Sequence, residues 1–582
     1  MLLFQPSEMR VLNQENQTVL DCMREAGFMP DSPCGGNGTC GKCKVQVLVG
    51  EGNSITPEEK MVLSKKELEE GWRLACKLLP KRAYQTMEIF VPQMLEENKG
   101  QQDPNVEKQV SLQSEDRRKA SVKDEMLEWY TAFGKKWLAA EKTKDVHQAD
   151  RQGVFYGIAV DLGTTNLELL LWDRTHGTCL QRCVCENRQR QFGSDVVSRL
   201  TYSSSPDGFR EMCNCLQTQV FEEIKCLLGQ AQVLELEKLD AVINSRDTKK
   251  IPVYVTGNAV MMHFFAGQSI DSLLKAPYHS DFTREIVMEG EEIGLPMVTL
   301  YLLPNIESFV GADTLAILYG LVSGALEVKP ETDTLGVDIG TNGEIFLMKG
   351  DSIFVTSTAA GPAFEGASIS CGMAAKTGAI IGVQDTPSSQ ESVYSTIGGR
   401  NVWLDIMGGK SAEGICGSGL ISLVGFLYEK EWMDATGLLL KGQEGKTGKT
   451  LAIMKRQERD LVLEQRDIRE LQMAKAAIAT GIECLLEASH TKLEEVSQCI
   501  LAGAFGTHLD VHAGKTIGLL PNIENRKMIP VGNAALLGAS KRLWDCNGAE
   551  SMRKIQERII HVPLADTAHF QEQFIKHISF PK

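Results

Sequence analysis

The chain has 582 residues, 43% of them apolar, and a formal charge of −15. That length exceeds what a single hydrophobic core supports, so roughly three to five domains are expected. The negative balance excludes a nucleic-acid partner, since phosphate-backbone binding relies on clustered Lys and Arg. No run approaches the roughly 20 apolar residues of a membrane span. The start, Met1-Leu-Leu-Phe-Gln-Pro, lacks a basic segment followed by an apolar one. No membrane partner and a cytoplasmic address are therefore expected. Sixteen cysteines without an export signal point to thiolate ligands and buried thiols rather than a disulfide scaffold.

The first predicted elements are strands at Leu2–Phe4 and Arg10–Leu12, a helix from Thr18 to Ala26, and strands at Lys44–Val49 and Met87–Val91. They fit a β-grasp domain over residues 1–94. Within it, Pro33-Cys-Gly-Gly-Asn-Gly-Thr-Cys-Gly-Lys-Cys43 places Cys34, Cys40 and Cys43 as C-x5-C-x2-C, and Cys76 follows in Trp72-Arg-Leu-Ala-Cys76. Four thiolates meet the requirement of a [2Fe–2S] cluster, and glycines at 35, 36, 38 and 41 let the backbone curl around it and aim N–H groups at its sulfurs. A structural zinc site is the competing reading, but zinc knuckles pair C-x2-C twice and this loop does so once. The spacing resembles adrenodoxin-like ferredoxins more than plant-type ones. Cys22 reads as a buried small apolar residue.

Residues 95–153 read as a charged linker with a short helical segment, in which Met126, Tyr130, Phe133 and Trp137 recur at helical spacing. That stripe is expected to pack into a core. Cys179, Cys183, Cys185, Cys213 and Cys215 follow within 37 residues. A second metal there is the alternative to packing, and packing is favoured because the segment lacks the glycines of a cluster loop.

The remainder, 154–582, contains two like segments, Tyr156-Gly-Ile-Ala-Val-Asp-Leu-Gly-Thr-Thr-Asn-Leu-Glu-Leu-Leu-Leu171 and Thr334-Leu-Gly-Val-Asp-Ile-Gly-Thr-Asn-Gly-Glu-Ile-Phe-Leu347. Each is an apolar strand, Asp-x-Gly-Thr, a turn and a second apolar strand. Such a duplication predicts two lobes, about 154–330 and 331–582. In each turn, backbone N–H groups and hydroxyls at Gly163, Thr164, Thr165 and at Gly340, Thr341, Asn342 can cradle phosphate oxygens of ATP. Asp161 and Asp338 can hold Mg²⁺ through water. Together the two turns resemble the paired phosphate loops of actin, sugar kinases and heat-shock chaperones.

Leu501-Ala-Gly-Ala-Phe-Gly506 resembles the adenosine motif of that superfamily, its candidate residues being Gly503, Ala504, Phe505 and Gly506; the two glycines leave room for a flat ring or ribose, or serve only tight packing. Glu365, the one carboxylate of Ser357-Thr-Ala-Ala-Gly-Pro-Ala-Phe-Glu-Gly366, can order a water or the metal, or serve as a salt-bridge or helix-start carboxylate; the turn is expected to open a helix. Gly417 and Ser418 open another helix, where they contact nucleotide or simply pack. His263 and His508 read as structural histidines. A Walker P-loop is excluded: each of the four Gly-Lys-Ser/Thr tails, at 409, 445, 448 and 514, lacks the first glycine.

A ferredoxin domain, a charged linker and an actin-like ATPase in this order resemble the ATP-dependent reductive activators of corrinoid proteins. The matches include Gly193-Ser-Asp-Val-Val-Ser-Arg199, Phe309-Val-Gly-Ala-Asp313, Asp338-Ile-Gly-Thr-Asn-Gly-Glu344, Ala360-Gly-Pro-Ala-Phe-Glu365, Asp467-Ile-Arg-Glu-Leu-Gln472 and Gly503-Ala-Phe-Gly506. The resemblance implies a multidomain α/β fold: a β-grasp [2Fe–2S] ferredoxin domain plus a two-lobed actin-like (ribonuclease H-like) ATPase domain. It implies that an electron passes from the cluster to a corrinoid protein of a methyltransferase system, returning inactive Co(II) to Co(I). It also implies an unidentified low-potential donor and leaves a homodimer open. The spacer of about 60 residues before the ATPase leaves hardly any room for a full middle domain there. Three other readings stand beside it: a small-molecule kinase with a redox sensor, an ATP-set binding module, and an activator of radical dehydratases.

Overall fold

The computed structural model describes residues 1–5, 9–11, 17–25, 36–38, 41, 43–80, 87–92, 125–142, 156–193, 195–230, 250–276, 278–326, 328, 333–366, 369–388, 392–408, 411–445, 448–456, 460–503, 509–564 and 569–581. The charged stretch read as a linker lies outside these, except for the helix Glu125–Lys142. The chain divides into two compact units, one of residues 1–129 and 187–219, the other of 130–186 and 220–582. Among the described residues no helix is long and apolar enough to cross a membrane.

In the first unit, β1 (Leu2–Gln5), β2 (Met9–Val11), β3 (Lys44–Val49), β4 (Trp72–Leu74) and β5 (Met87–Phe90) form a sheet of order β2-β1-β5-β3-β4. β1 pairs parallel with β5, and the other pairs are antiparallel. Leu2, Phe4, Val45, Leu74, Met87 and Ile89 turn inward and bury Val19, Leu20 and Met23 of the helix Val19–Glu25. Each position lies on the alternation that a half-buried strand requires. Cys22 is buried in this core, as expected.

The second unit contains the duplication. β6 (Tyr156–Leu162), β7 (Asn166–Asp173), β8 (Thr178–Glu186), β9 (Ile251–Gly257), β10 (Ile286–Glu289) and β11 (Val298–Leu302) form one sheet, ordered β10-β11-β9-β6-β7-β8. The chain then makes β12 (Thr334–Ile339), β13 (Gly343–Lys349) and β14 (Ser352–Thr358). Two small sheets follow. One is built from β15 (Ala379–Gln384), β16 (Val393–Ile397), β17 (Arg400–Ile406) and β18 (Gly414–Ile415), the other from β19 (Gln443–Gly445), β20 (Gly448–Met454) and β21 (Leu461–Glu464).

β22 (Gln498–Ala502), β23 (Met528–Gly532) and β24 (Ile559–His561) complete a second large sheet, β23-β22-β12-β13-β14-β24. Both large sheets run as an antiparallel three-strand meander followed by two strands parallel to the first: β6, β7, β8 then β9, β11, and β12, β13, β14 then β22, β23. The repeated sequence pattern is thus a repeated topology, and Asp161 and Asp338 occupy corresponding strands.

The stripe on Glu125–Lys142 does pack into a core. Trp137 lies 5.7 Å from Trp172 and 5.5 Å from Trp544, ring centre to ring centre, and its Nε1 donates to Ala325 O at 3.1 Å. One expectation fails: the turn Ser357–Gly366 does not open an α-helix. Among the described residues it makes a single 3₁₀ turn, Pro362–Glu365, bounded by Gly361 and Gly366 at φ +79° and +76°. A right-handed helix does not continue through left-handed backbone.

Candidate functional site

Cys43 sits at the foot of β3 and Cys76 just past β4; Ala75 N donates to Cys43 O at 2.9 Å and brings the two together. Their sulfurs lie 3.4 Å apart, both buried. That is close to the roughly 3.8 Å edge of a tetrahedral metal site with ~2.3 Å bonds to sulfur. The end of β4 is pinned by Glu59, which is fully buried and accepts from Arg73 Nε at 2.8 Å and Leu74 N at 3.0 Å. Burial disfavours its charge, but Arg73 and the backbone donors prevail and hold the carboxyl below its ordinary range. Gly36, Gly38 and Gly41 all have φ between +67° and +91°, the curled backbone that a cluster loop needs. Cys34 and Cys40 lie outside the described residues. The described thiols and glycines fit the cluster.

In the second unit, both Asp-x-Gly-Thr turns connect hairpin strands, and each aspartate faces a glutamate across its hairpin: Asp161 opposite Glu168, Asp338 opposite Glu344. Directly opposed like charges destabilise a sheet. Asp313, at the start of the helix Ala312–Val322, joins them. Burial pushes Asp313 up to about 6 and, reinforced by Asp313, pushes Asp338 up to about 7. Burial, then Asp313 and Asp338, raises Glu344 far above its ordinary range. Asp161 is raised chiefly by burial, against a hydrogen bond from Asn533 and with help from Asp313, Glu168 and Asp338.

Glu168 has a counter-charge in Arg182, whose Nε donates at 2.7 Å. Among the described residues no such ion pair is made by Asp313, Asp338 or Glu344. Thr256, registered with Asp161 in the parallel pair and so on the same face, keeps a buried Oγ1 with no partner among the described residues. This donor set fits a divalent cation, which relieves repulsion that the protein leaves uncompensated.

Glu365 lies between the two turns, at the end of the 3₁₀ turn Pro362–Glu365. It accepts from Thr165 Oγ1 and, at 2.6 Å, from Thr341 Oγ1. Thr164 is buried and accepts from Asn258 Nδ2 at 2.9 Å. Gly361 N donates to Thr341 O, and Gly340 N to Asn342 O; Gly163 begins the other turn, against Asn166 O. Gly503, at φ +94°, packs closely against β12. A Cβ there would stand 2.6 Å from Asp338 Oδ1, so its missing side chain lets β22 end against that carboxylate. Ala504, Phe505, Gly506 and His508 lie outside the described residues. Gly417 begins the helix Gly417–Glu429, with Ser418 buried beside Cys416 at 3.1 Å. His263 is a bonded structural histidine, 2.7 Å from Ser269 O and 3.0 Å from Ser280 Oγ.

Asp313, Glu344, Glu168, Asn258 and Asn533 received no role from the sequence. Glu168 and Glu344 had a readable signal, a carboxylate inside an apolar strand at corresponding places of both hairpins. Asn533 had none: it caps the helix Ala534–Lys541 with Oδ1 and donates through Nδ2 to Asp161 at 2.8 Å and Glu168 at 3.0 Å.

Tyr130, on the helix Glu125–Lys142, donates to the other oxygen of Glu168 at 3.0 Å. Burial, then Glu168, keeps its phenol protonated well above 10, so it is a permanent donor. Tyr130→Phe keeps the ring and removes that bond. We expect a loss of about 1–2 kcal/mol in stability and a several-fold rise in the ATP concentration needed for half-maximal hydrolysis, read by thermal melting and steady-state kinetics.

The raised carboxyls also set a pH dependence. Their folded values lie above the unfolded ones, so their contribution is fully present below about pH 4 and is lost as pH rises through about 6–7. A cation that binds the ionised forms reverses this. Mg²⁺ is expected to raise the melting temperature at pH 8 and to do so far less at pH 5.5.

A family described as the C-terminal domain of RACo, the ASKHA domain, matches residues 332–582. The RACo middle region matches 156–322, the stretch expected to form the first lobe, and a 2Fe-2S iron–sulfur cluster binding domain matches 3–81. The corrinoid activation enzyme RamQ of Eubacterium limosum is 31% identical over 454 residues, covering 74% of this chain and 71% of its own. The [Co(II) methylated amine-specific corrinoid protein] reductase of Methanosarcina barkeri is 24% identical, covering 73% and 77%. The solved structure of a reductive activator for corrinoid, iron–sulfur protein superimposes with a TM-score of 0.63 at 25% identity, over 100% of this chain and 98% of the other. With its cluster-binding domain and ASKHA ATPase domain, the chain belongs to the family of reductive activators of corrinoid proteins.

Proposed function

We propose that this chain reduces the inactive Co(II) corrinoid of a methyltransferase system's corrinoid protein to Co(I), using an electron held on Cys34, Cys40, Cys43 and Cys76 and coupling its delivery to ATP. The observation that carries the reading is the pairing, in one chain, of the close Cys43–Cys76 thiols with two hydroxyl-bearing turns that share Glu365. A cluster supplies single-electron transfer, and a nucleotide site of this kind supplies a change of state.

In this reading Thr164, Thr165, Thr341 and Asn342 hold phosphates from both lobes. Asp161 and Asp338, with Asp313 and Glu344, take Mg²⁺. Glu365 orients the attacking water and holds the threonine hydroxyls in place until phosphate competes for them. Gly503 to Gly506 and the helix start at Gly417 and Ser418 flank the adenosine. Residues 1–94, 95–153 and 154–582 serve as electron carrier, tether and ATPase. An unidentified low-potential donor recharges the cluster, and the active species is a monomer or a homodimer.

Reduction of Co(II) from a ferredoxin is uphill, and each ~59 mV of shortfall costs a factor of ten for one electron. ATP helps only if its states bind the corrinoid partner differently, so that hydrolysis makes delivery effectively one-way. The test is to mix reduced protein, ATP and the cognate Co(II) corrinoid protein and follow the visible spectrum. Appearance of Co(I) only with ATP supports the reading. No Co(I) with any cognate partner overturns it.

A further inference from the structure

Cys183 and Cys185 alternate with Val184 on β8, so both thiols leave the strand on one face. Across from them stands Glu223 of the helix Pro206–Gln230. Cys183 Sγ lies 3.2 Å from Glu223 Oε2, and the two sulfurs and a carboxylate oxygen all lie within 4.8 Å of one another. Around a tetrahedral ion with bonds of ~2.3 Å to sulfur and ~2.0 Å to oxygen, neighbouring ligand atoms stand roughly 3.5–3.8 Å apart. A movement of about an ångström therefore closes the set on a metal. All three side chains are partly exposed, which gives an ion a way in and leaves a fourth position for water.

The alternatives fit less well. Residues two apart on an extended strand stand roughly 6.6 Å apart at Cα, at the edge of disulfide reach and with Cβ bonds pointing alongside each other. Plain packing leaves unexplained why a carboxylate from a separate helix, rather than an apolar group, meets the thiol. Of five cysteines close in sequence, the structure brings two together and adds a ligand that no cysteine spacing reveals.

We propose that Cys183, Cys185 and Glu223 form a binding site for a thiophilic divalent cation of the zinc class, separate from the cluster cysteines. Two thiolates and a carboxylate suit zinc over magnesium or calcium, which prefer all-oxygen shells. On binding, two S–Zn bonds and one O–Zn bond form, and the thiol protons pass to solvent. The ion staples β8, the edge strand of its sheet, to the helical turn that carries Glu223.

The experiment uses the full chain with its cluster loaded and zinc alone as the probe. After dialysis against a weak chelator, zinc and iron per chain are measured by mass spectrometry, and cysteine alkylation is followed peptide by peptide. The expected result is one zinc per chain with iron unchanged, alkylation of Cys183 and Cys185 slowed at least about tenfold by zinc, and exposed Cys226 unaffected. The double variant Cys183→Ser, Cys185→Ser is expected to lose zinc affinity about 10²-fold or more, and Glu223→Gln a smaller part of it. No zinc retained with the cluster intact, or equal slowing at Cys226, overturns the proposal, as does undiminished affinity in the double variant. Where the double variant fails to fold, the alkylation pattern of the unaltered chain decides.

Discussion

Replacing Asp338 with asparagine is expected to lower ATP hydrolysis about 10²-fold or more while leaving the visible spectrum of the cluster unchanged. Pre-placed charge aimed at a metal–phosphate group carries rate effects of this size. The stability change is expected to have the opposite sign. Asp338 is half-buried, pushed up to about 7 by desolvation, and close enough to Asp313 to be repelled by it. At pH 8 without Mg²⁺ the ionised carboxylate is a burden, so the asparagine variant is expected to be more stable by on the order of 1–3 kcal/mol, to melt higher accordingly, and to lose the Mg²⁺-induced rise. A residue serving only to hold the fold would fail both tests, since its removal would lower the melting temperature whether or not the cation is present.

Replacing Cys76 with serine is expected to do the reverse: ATP hydrolysis largely retained, Co(I) formation reduced more than about 10³-fold, and the cluster absorption lost. One missing thiolate of four opens the iron to solvent and exchange. The same substitution leaves Cys43 without its neighbour at 3.4 Å in a buried position, so the ferredoxin unit is expected to melt as a separate, lower transition. Hydrolysis measured in the same sample separates the two activities. Loss of both would mean that the cluster holds the ATPase together rather than feeding electrons through it. In either variant the intact half acts as the internal control for folding.

Much of the site was legible from residue spacing alone, for a physical reason. A loop that wraps a cluster and a turn that wraps a phosphate are built from consecutive residues, so their chemistry is written within about a dozen positions. That is why Cys34, Cys40, Cys43 and the two Asp-x-Gly-Thr turns could be picked out, and why four of the five described β-grasp strands fall within a residue or two of expectation, β4 (Trp72–Leu74) being the one not foreseen. The turn at Ser357–Gly366 opens no α-helix because Gly366, directly after the 3₁₀ turn, adopts the left-handed backbone that stops one, a conformation its sequence does not announce.

The residues that complete the site lie beyond such reach. Asp313 comes from a helix after another strand, and Asn533, 372 residues from Asp161, bonds it from the start of the helix Ala534–Lys541. Glu365 is 200 residues from Thr165 and 24 from Thr341, yet it touches both. Tyr130 reaches Glu168 from the helix that follows the charged stretch, and Glu223 meets Cys183 across 40 residues.

By itself, then, the sequence determined the cluster loop, the duplicated turns and the fold they imply, because those depend on local backbone geometry. Only the tertiary structure decided which carboxylates repel one another, which hydroxyls share Glu365 and which two of five cysteines stand beside a carboxylate. Those approaches are set by sheet register and by the packing of distant elements, and neither is written in the spacing of neighbouring residues.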